Sequence, residues 1–192
     1  MKKMLLVGLM SLMCLLGHRA QAQYVACTDT VTTFPYVPSF GINLGCWTPS
    51  DSSSWMDWTY GEVPVVRVRT STTTDQWLVS PPLQLPYDTV GLKMNWDNCK
   101  SGGSQIDYLV LVSSDDGTTW DTIDTWQYYA NQTYLQNEWP VDMTPYAGQT
   151  VRVAFCVPAQ SGGQRWLTIA NLNIRGDRMP WGDWFGYVVA AK

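Results

Sequence analysis

The feature that most constrains this chain is a series of short apolar runs on a two-residue period, separated by Gly, Pro, Asn and Asp clusters. Between 91 and 97, Leu92, Met94 and Trp96 face one way while Lys93, Asn95 and Asp97 face the other. That alternation describes a strand with one wet face. Val151, Val153 and Phe155 alternate in the same way with Arg152, Ala154 and Cys156. The run 106–112 is apolar on both faces at its centre and reads as a central strand. Runs at 63–70, 76–80, 120–126 and 166–174 bring the set to seven or more. No stretch beyond the first 22 residues sustains a helical period with caps. Many short strands at this spacing predict an all-β protein, an antiparallel β-sandwich of jelly-roll type in a single domain.

The first 22 residues have a different character. A basic Met1-Lys2-Lys3 is followed by an apolar run over 4–16 and then by His18-Arg19-Ala20-Gln21-Ala22. A charged start, a short apolar core and a small-x-small exit predict a secretory signal peptide over 1–22. The apolar run is shorter than the ~20 residues that span a bilayer. No other stretch predicts a transmembrane segment, so the expected location is secreted, extracellular or on the outer cell surface. The sandwich is expected over 23–175, and 176–192 is a C-terminal tail of different composition.

Cleavage after Ala22 removes Lys2, Lys3 and Arg19, leaving nine basic residues against sixteen acids and a net charge of −7. An acidic chain of this kind is a poor partner for a phosphate backbone, and no nucleic-acid role is expected. His18, the one histidine, leaves with the leader. The commonest general base and nitrogen metal ligand go with it. Four cysteines remain, Cys27, Cys46, Cys99 and Cys156. In an exported chain they predict two disulfides, with three pairings open.

Ser113-Ser114-Asp115-Asp116-Gly117-Thr118-Thr119-Trp120 is an S-x-D-x-G-x-T-W pattern. Its chemistry is that of a hairpin turn: Asp115 accepts from turn amides, Gly117 supplies positive φ, and Trp120 packs over the turn. It resembles the Asp-box of sialidases, where the motif recurs around a propeller. One copy in about 170 residues does not build such a propeller, and the turn reading follows.

A longer pattern runs from Thr33-Phe34-Pro35-Tyr36 and Ser39-Phe40 through Gly45-Cys46-Trp47-Thr48 to Trp77-Leu78-Val79-Ser80-Pro81-Pro82-Leu83-Gln84-Leu85. It continues through Val90-Gly91-Leu92-Lys93-Met94-Asn95-Trp96 and Tyr108-Leu109-Val110-Leu111-Val112-Ser113, and ends with Val141-Asp142-Met143-Thr144-Pro145-Tyr146 and Thr150-Val151-Arg152-Val153-Ala154-Phe155. In order and wording these pieces, over 33–174, resemble the choice-of-anchor J or cleaved-adhesin domains. These are MAM-like jelly-roll modules of secreted proteins of Bacteroidetes-type bacteria. The resemblance implies a non-catalytic, adhesin-like binding module. It also implies a pairing of Cys27 with Cys46 and of Cys99 with Cys156. Family members often place an acid after the first Phe and paired aspartates near the last strand, where they serve a structural calcium. Here Gly41 and Ala170-Asn171 stand in those places. Asp97, Asp107 and Asp142 are the carboxylates left to compensate. No metal ligand set and no cofactor are therefore expected.

Eleven tryptophans and ten tyrosines are the compositional oddity. Trp47, Trp77, Trp96, Trp120 and Trp166 fall on strands or turns and read as core or caps. Trp55, Trp58 and Tyr60 sit in a Ser- and Asp-rich stretch, 51–60, without apolar alternation. That stretch reads as a loop, and loops on a rigid scaffold are where binding residues gather. These three are the candidate ligand-binding residues, for a glycan or a host or bacterial surface protein. A structural spacer domain of a larger surface protein is the second reading. A small glycosidase, which needs two carboxylates facing each other across a cleft, is the third.

Overall fold

The computed structural model describes residues 29–176, apart from 39, 41–42, 52, 88–90, 103–104, 129–134, 138–139 and 162–164. The expected leader, Cys27 and tail residues 177–192 lie outside the described residues.

The strands are β1 (Thr48–Pro49), β2 (Trp55–Tyr60), β3 (Val63–Arg69), β4 (Gln76–Val79), β5 (Leu83–Gln84) and β6 (Lys93–Ser101). They continue with β7 (Ile106–Ser113), β8 (Asp121–Tyr128), β9 (Gln136–Asn137), β10 (Val141–Asp142), β11 (Thr150–Val157) and β12 (Trp166–Arg175). One sheet has the order β1-β4-β11-β7-β8, with β5 also on β11. The other has the order β10-β6-β12-β3-β2, with β9 also on β6. The chain changes sheet at β1/β2, β3/β4, β5/β6, β6/β7, β8/β9, β10/β11 and β11/β12. This repeated crossing makes the sandwich one of jelly-roll type.

Alternation builds the core. Met94 and Trp96 of β6, Leu167 and Ile169 of β12, and Val66 and Val68 of β3 meet Tyr108, Val110 and Val112 of β7 and Val153 and Phe155 of β11. Phe155 holds the middle, with the Trp96 ring edge-on at 5.5 Å and the Trp47 ring stacked at 5.9 Å. The Tyr108 hydroxyl, buried at this depth, accepts from Trp96 Nε1 and Asn98 Nδ2, each at 3.1 Å. A buried hydroxyl left without partners would oppose folding, so the pair of donors matters to the fold.

The first sheet also buries part of its outer face. Val79, Leu111, Ala154 and Cys156 lie there beneath Trp77 and Trp120, whose rings are 5.7 Å apart. Trp120 reaches this position from the Asp-Gly turn. Asp115 accepts from Ser113 Oγ at 2.7 Å, Thr119 N at 2.8 Å and Thr119 Oγ1 at 2.7 Å. Gly117 has φ +91° and its N–H donates to Ser113 Oγ at 2.8 Å, while Trp120 Nε1 donates to Gly117 O at 3.1 Å.

The alternation corrects the expected bridge between Cys99 and Cys156, both of which are thiols. Phe155 points into the core, so Cys156 points out of the first sheet. Asn98 reaches Tyr108 in the core, so Cys99 points out of the second sheet. Two sheet faces separated by about 10 Å lie between them, beyond the reach of a disulfide. Cys46 is disulfide-bonded.

The stretch 51–60 is corrected as well. Trp55–Tyr60 is strand β2, at the edge of the second sheet, rather than a loop. Its inward positions turn polar after Trp55: the Asp57 carboxylate accepts from Leu44 N at 3.1 and 3.2 Å instead of meeting the core. A strand that leaves the core halfway along loses its alternation signal.

Candidate functional site

On the second sheet, alternation sends one set of side chains outward: Met56, Trp58 and Tyr60 from β2, Arg67 and Arg69 from β3, and Trp166 and Thr168 from β12. The register places Met56, Arg67, Thr168 and Cys99 in one row across four strands, and Trp58 beside Val65 and Ala170 in the next. Trp58 and Trp166 therefore stand diagonally on either side of Arg67, within the reach of cross-strand aromatic contacts. The Arg67 guanidinium carbon lies 4.9 Å from the Trp58 ring centroid and 3.8 Å from that of Trp166. These are cation–π distances, and a planar guanidinium suits them better than an ammonium does.

Arg67 Nε is buried without a hydrogen-bond partner among the described residues. Burial pulls the guanidinium below its ordinary pKa, and nearby Cys99 acts in the opposite direction. The Cys99 thiol is pushed up by its own burial, against a hydrogen bond with Thr168 and the Arg67 charge. It stays protonated at neutral pH.

Further along β6 and β12 the same face becomes polar. The ladder shifts register between Ala170 and Asn173, and Asn171 takes φ 50°. Bulges of this kind re-aim side chains. Asn171 Nδ2 donates to Asp97 Oδ2 at 2.6 Å, and Asn173 Nδ2 donates to Asn171 O at 3.3 Å. Asn95 lies directly opposite Asn173, and the Oδ1 atoms of both are buried without partners among the described residues. The face thus joins a flat aromatic–guanidinium row to a pair of asparagines whose Oδ1 atoms lie beneath the surface. Indole faces stack on the apolar face of a sugar ring.

Trp58 is 50% exposed and Tyr60 half-buried, so both belong to this face. Trp55 does not. It is 2% exposed and packs in the core, which removes it from the ligand set. Sequence reasoning missed Arg67, Trp166, Asn95 and Asn173. Their outward direction could be read from Val66, Val68, Leu167 and Met94, but their adjacency depends on strand register.

An open depression elsewhere is lined by Thr30, Pro82, Asp115, Asp116, Thr150 and Val151. Its carboxylates are engaged: Asp115 organises the turn, and Asp116 accepts from Arg152 Nε at 2.5 Å. The three carboxylates left to replace the calcium ligands are also apart. Asp97 bonds Asn171, Asp142 accepts from Thr144 N at 2.9 Å, and Asp107 belongs to the opposite sheet. Among the described residues no group of three His, Cys, Asp or Glu side chains is placed to hold a metal ion. Among the same residues no helix is long and apolar enough to cross a membrane.

No protein-family model matches the chain, and no curated protein matches it. Among solved structures, it is similar to the K1 cleaved adhesin domain of Lys-gingipain from Porphyromonas gingivalis W83, with 18% identity and a TM-score of 0.52. That match covers 68% of this chain and 90% of the adhesin domain. The K2 cleaved adhesin domain of Lys-gingipain follows at 14% identity and TM-score 0.49, over 71% of this chain and 92% of its own. A carbohydrate-binding module solved with β-1,4-galactotriose gives 14% identity and TM-score 0.47, over 68% and 88%. At these identities the likeness is one of architecture: the chain has a cleaved-adhesin-like β-sandwich fold.

Proposed function

We propose that the chain is an exported, non-catalytic module that holds a glycan on the outer face of the β2-β3-β12-β6 side of the sandwich. The observation that carries this reading is Trp58, half exposed beside a guanidinium that Trp166 also holds. An exposed indole fixed in orientation presents a flat apolar surface at little entropic cost, which is what stacking on a sugar ring requires. Tyr60 extends the aromatic edge beside it. The leader over 1–22 supports export, and the order of motifs over 33–174 supports kinship with the choice-of-anchor J and MAM-like modules.

The test is a glycan array on the mature domain, repeated with Trp58→Ala. Binding of a defined set of glycans that disappears in the variant, with an unchanged melting temperature, is the expected result. An array on which the mature domain binds no glycan would overturn it and return the chain to the spacer reading.

A further inference from the structure

Charge on this sandwich is segregated between its two sides. Among the described residues there are seven cations. Alternation sends four of them, Arg67, Arg69, Lys93 and Arg175, out of the second sheet. The other three are elsewhere: Lys100 is fully buried, Arg165 is 2% exposed, and Arg152 is bonded to Asp116 at the turn. Among the described residues the strands of the same outer face carry two carboxylates, and each already has a donor, Asp97 from Asn171 and Asp142 from Thr144. The β7–β8 hairpin of the opposite sheet carries Asp107, Asp115, Asp116, Asp121 and Asp124. Among the described residues, a chain of net negative charge thus places four of its seven cations on this one face.

Two further features bear on what would lie there. Arg175 and Lys93 are directly opposite each other across the β12–β6 ladder, so that two cations stand side by side at that end of the face. Asp142 flanks Lys93 from the other side, and Arg69 stands exposed beside Trp166 at the opposite end of the face. The cations also mark both ends of the face. Trp166 and Arg175 are the ends of β12, a span of roughly 30 Å at about 3.3 Å per residue. An open sheet face of that length suits an extended chain better than a single small molecule, which calls for a concave site.

We infer that the glycan held on this face is an anionic polymer, carrying carboxylate or sulfate groups that Arg69, Lys93 and Arg175 meet while Trp58 stacks on a ring. This inference rests on the reading of the face as a glycan platform. Carboxylate and sulfate present the same acceptor geometry to a guanidinium fork. A nucleic-acid strand is disfavoured by the twelve acids among the described residues, since phosphate binding needs a net of cations over the whole footprint.

The test measures binding of the mature domain to polygalacturonate, to its methyl-esterified form, to dextran sulfate and to a single-stranded oligonucleotide. Polygalacturonate or dextran sulfate is expected to bind, with affinity that falls as NaCl rises from about 20 mM to about 300 mM. The esterified polymer, with the same backbone and no charge, is expected to bind roughly tenfold more weakly than polygalacturonate. The double variant Arg69→Gln/Arg175→Gln is expected to lose several-fold in affinity for the charged polymer at unchanged melting temperature. Trp58→Ala should lose binding of the same polymer, which places it on this face. Which of the two anionic polymers binds more tightly separates carboxylate from sulfate recognition. Equal affinity for the esterified polymer, or affinity indifferent to salt and to the double variant, would overturn the anionic assignment and leave a neutral glycan platform standing. An oligonucleotide bound as tightly as the glycans would overturn it too, in favour of general polyanion binding. Failure of every glycan, charged or neutral, would overturn the platform itself.

Discussion

The guanidinium carbon of Arg67 lies 3.8 Å from the ring centroid of Trp166, with the Trp58 ring 4.9 Å away on the neighbouring strand. The contact joins side chains about a hundred residues apart in the chain. It sets the orientation of Trp58, which stands half exposed on this face. Arg67→Lys keeps the charge and loses the plane that stacks on both rings. A cation–π contact at an exposed site is worth about 0.5–1 kcal/mol. A loss of that size lowers the melting temperature of a domain this long by about 1–4 °C. Glycan affinity is expected to fall several-fold in the same variant, because Trp58 loses its support. Calorimetric melting and titration on one preparation would check both. Affinity unchanged in Arg67→Lys would show that the stack has no part in binding.

Trp55 and Trp58 are three residues apart and do opposite work. Trp58→Ala is expected to weaken glycan binding by about 1–3 kcal/mol, the range for an interface anchor, while barely moving the melting temperature. Trp55→Ala opens a cavity in the core and is expected to cost about 3–5 kcal/mol of stability. Its folded fraction should bind as the wild type does. Denaturant melts and titrations on the two variants would show the crossed pattern.

How much of this was legible in the sequence depends on what each strand does. The sandwich was readable because β6 and β11 keep strict alternation along their core-facing halves, and β7 is apolar on both faces because Leu109 and Leu111 lie under the outer cluster. β2 was unreadable because only Trp55 of its inward positions meets the core, and Asp57 turns instead to the backbone at Leu44. The site was half readable. The order of residues fixes that Arg67 and Trp166 point outward, but nothing local says that β3 and β12 are neighbours, so the stack could not be assembled. The same limit misled the pairing of cysteines. Cys156 alternates with Phe155 and had to point away from the core, while the sheet that carries Cys99 is a matter of topology.

The thiols give a direct chemical test. Cys99 is 3% exposed, and its pKa is raised by burial, so the reactive thiolate is scarce. Cys156 is fully buried beneath the Trp77–Trp120 pair. Neither is expected to react with iodoacetamide in the native protein, and both should react fully after unfolding without reductant. Non-reducing peptide mapping is expected to join Cys46 to Cys27. A Cys99–Cys156 peptide would contradict the sheet assignment of one of the two strands.

The turn predicts a pH dependence whose sign follows from Asp115. Hydrogen bonds from Thr119 N, from Thr119 Oγ1 and from Ser113 hold its carboxyl at about 2, below the usual 3.8. Those donors favour the ionised form, so the folded state binds a proton less readily than the unfolded chain does. The resulting stabilisation is complete above the ordinary carboxylate value and fades as pH falls from about 4 to about 2. Asp51 and Asp142 are also held below their ordinary values by local hydrogen bonds, so the wild-type curve sums several carboxylates. Asp115→Asn isolates one of them. Its amide oxygen still accepts from the turn but does not titrate over this range, so the variant is expected to be less stable than the wild type at pH 6. The gap between the two should narrow steadily as pH drops through the window. Urea melts at half-unit steps from pH 6 to pH 2 would measure that gap directly. A gap that stayed constant across the window would mean that Asp115 contributes the shape of the turn and nothing from its charge.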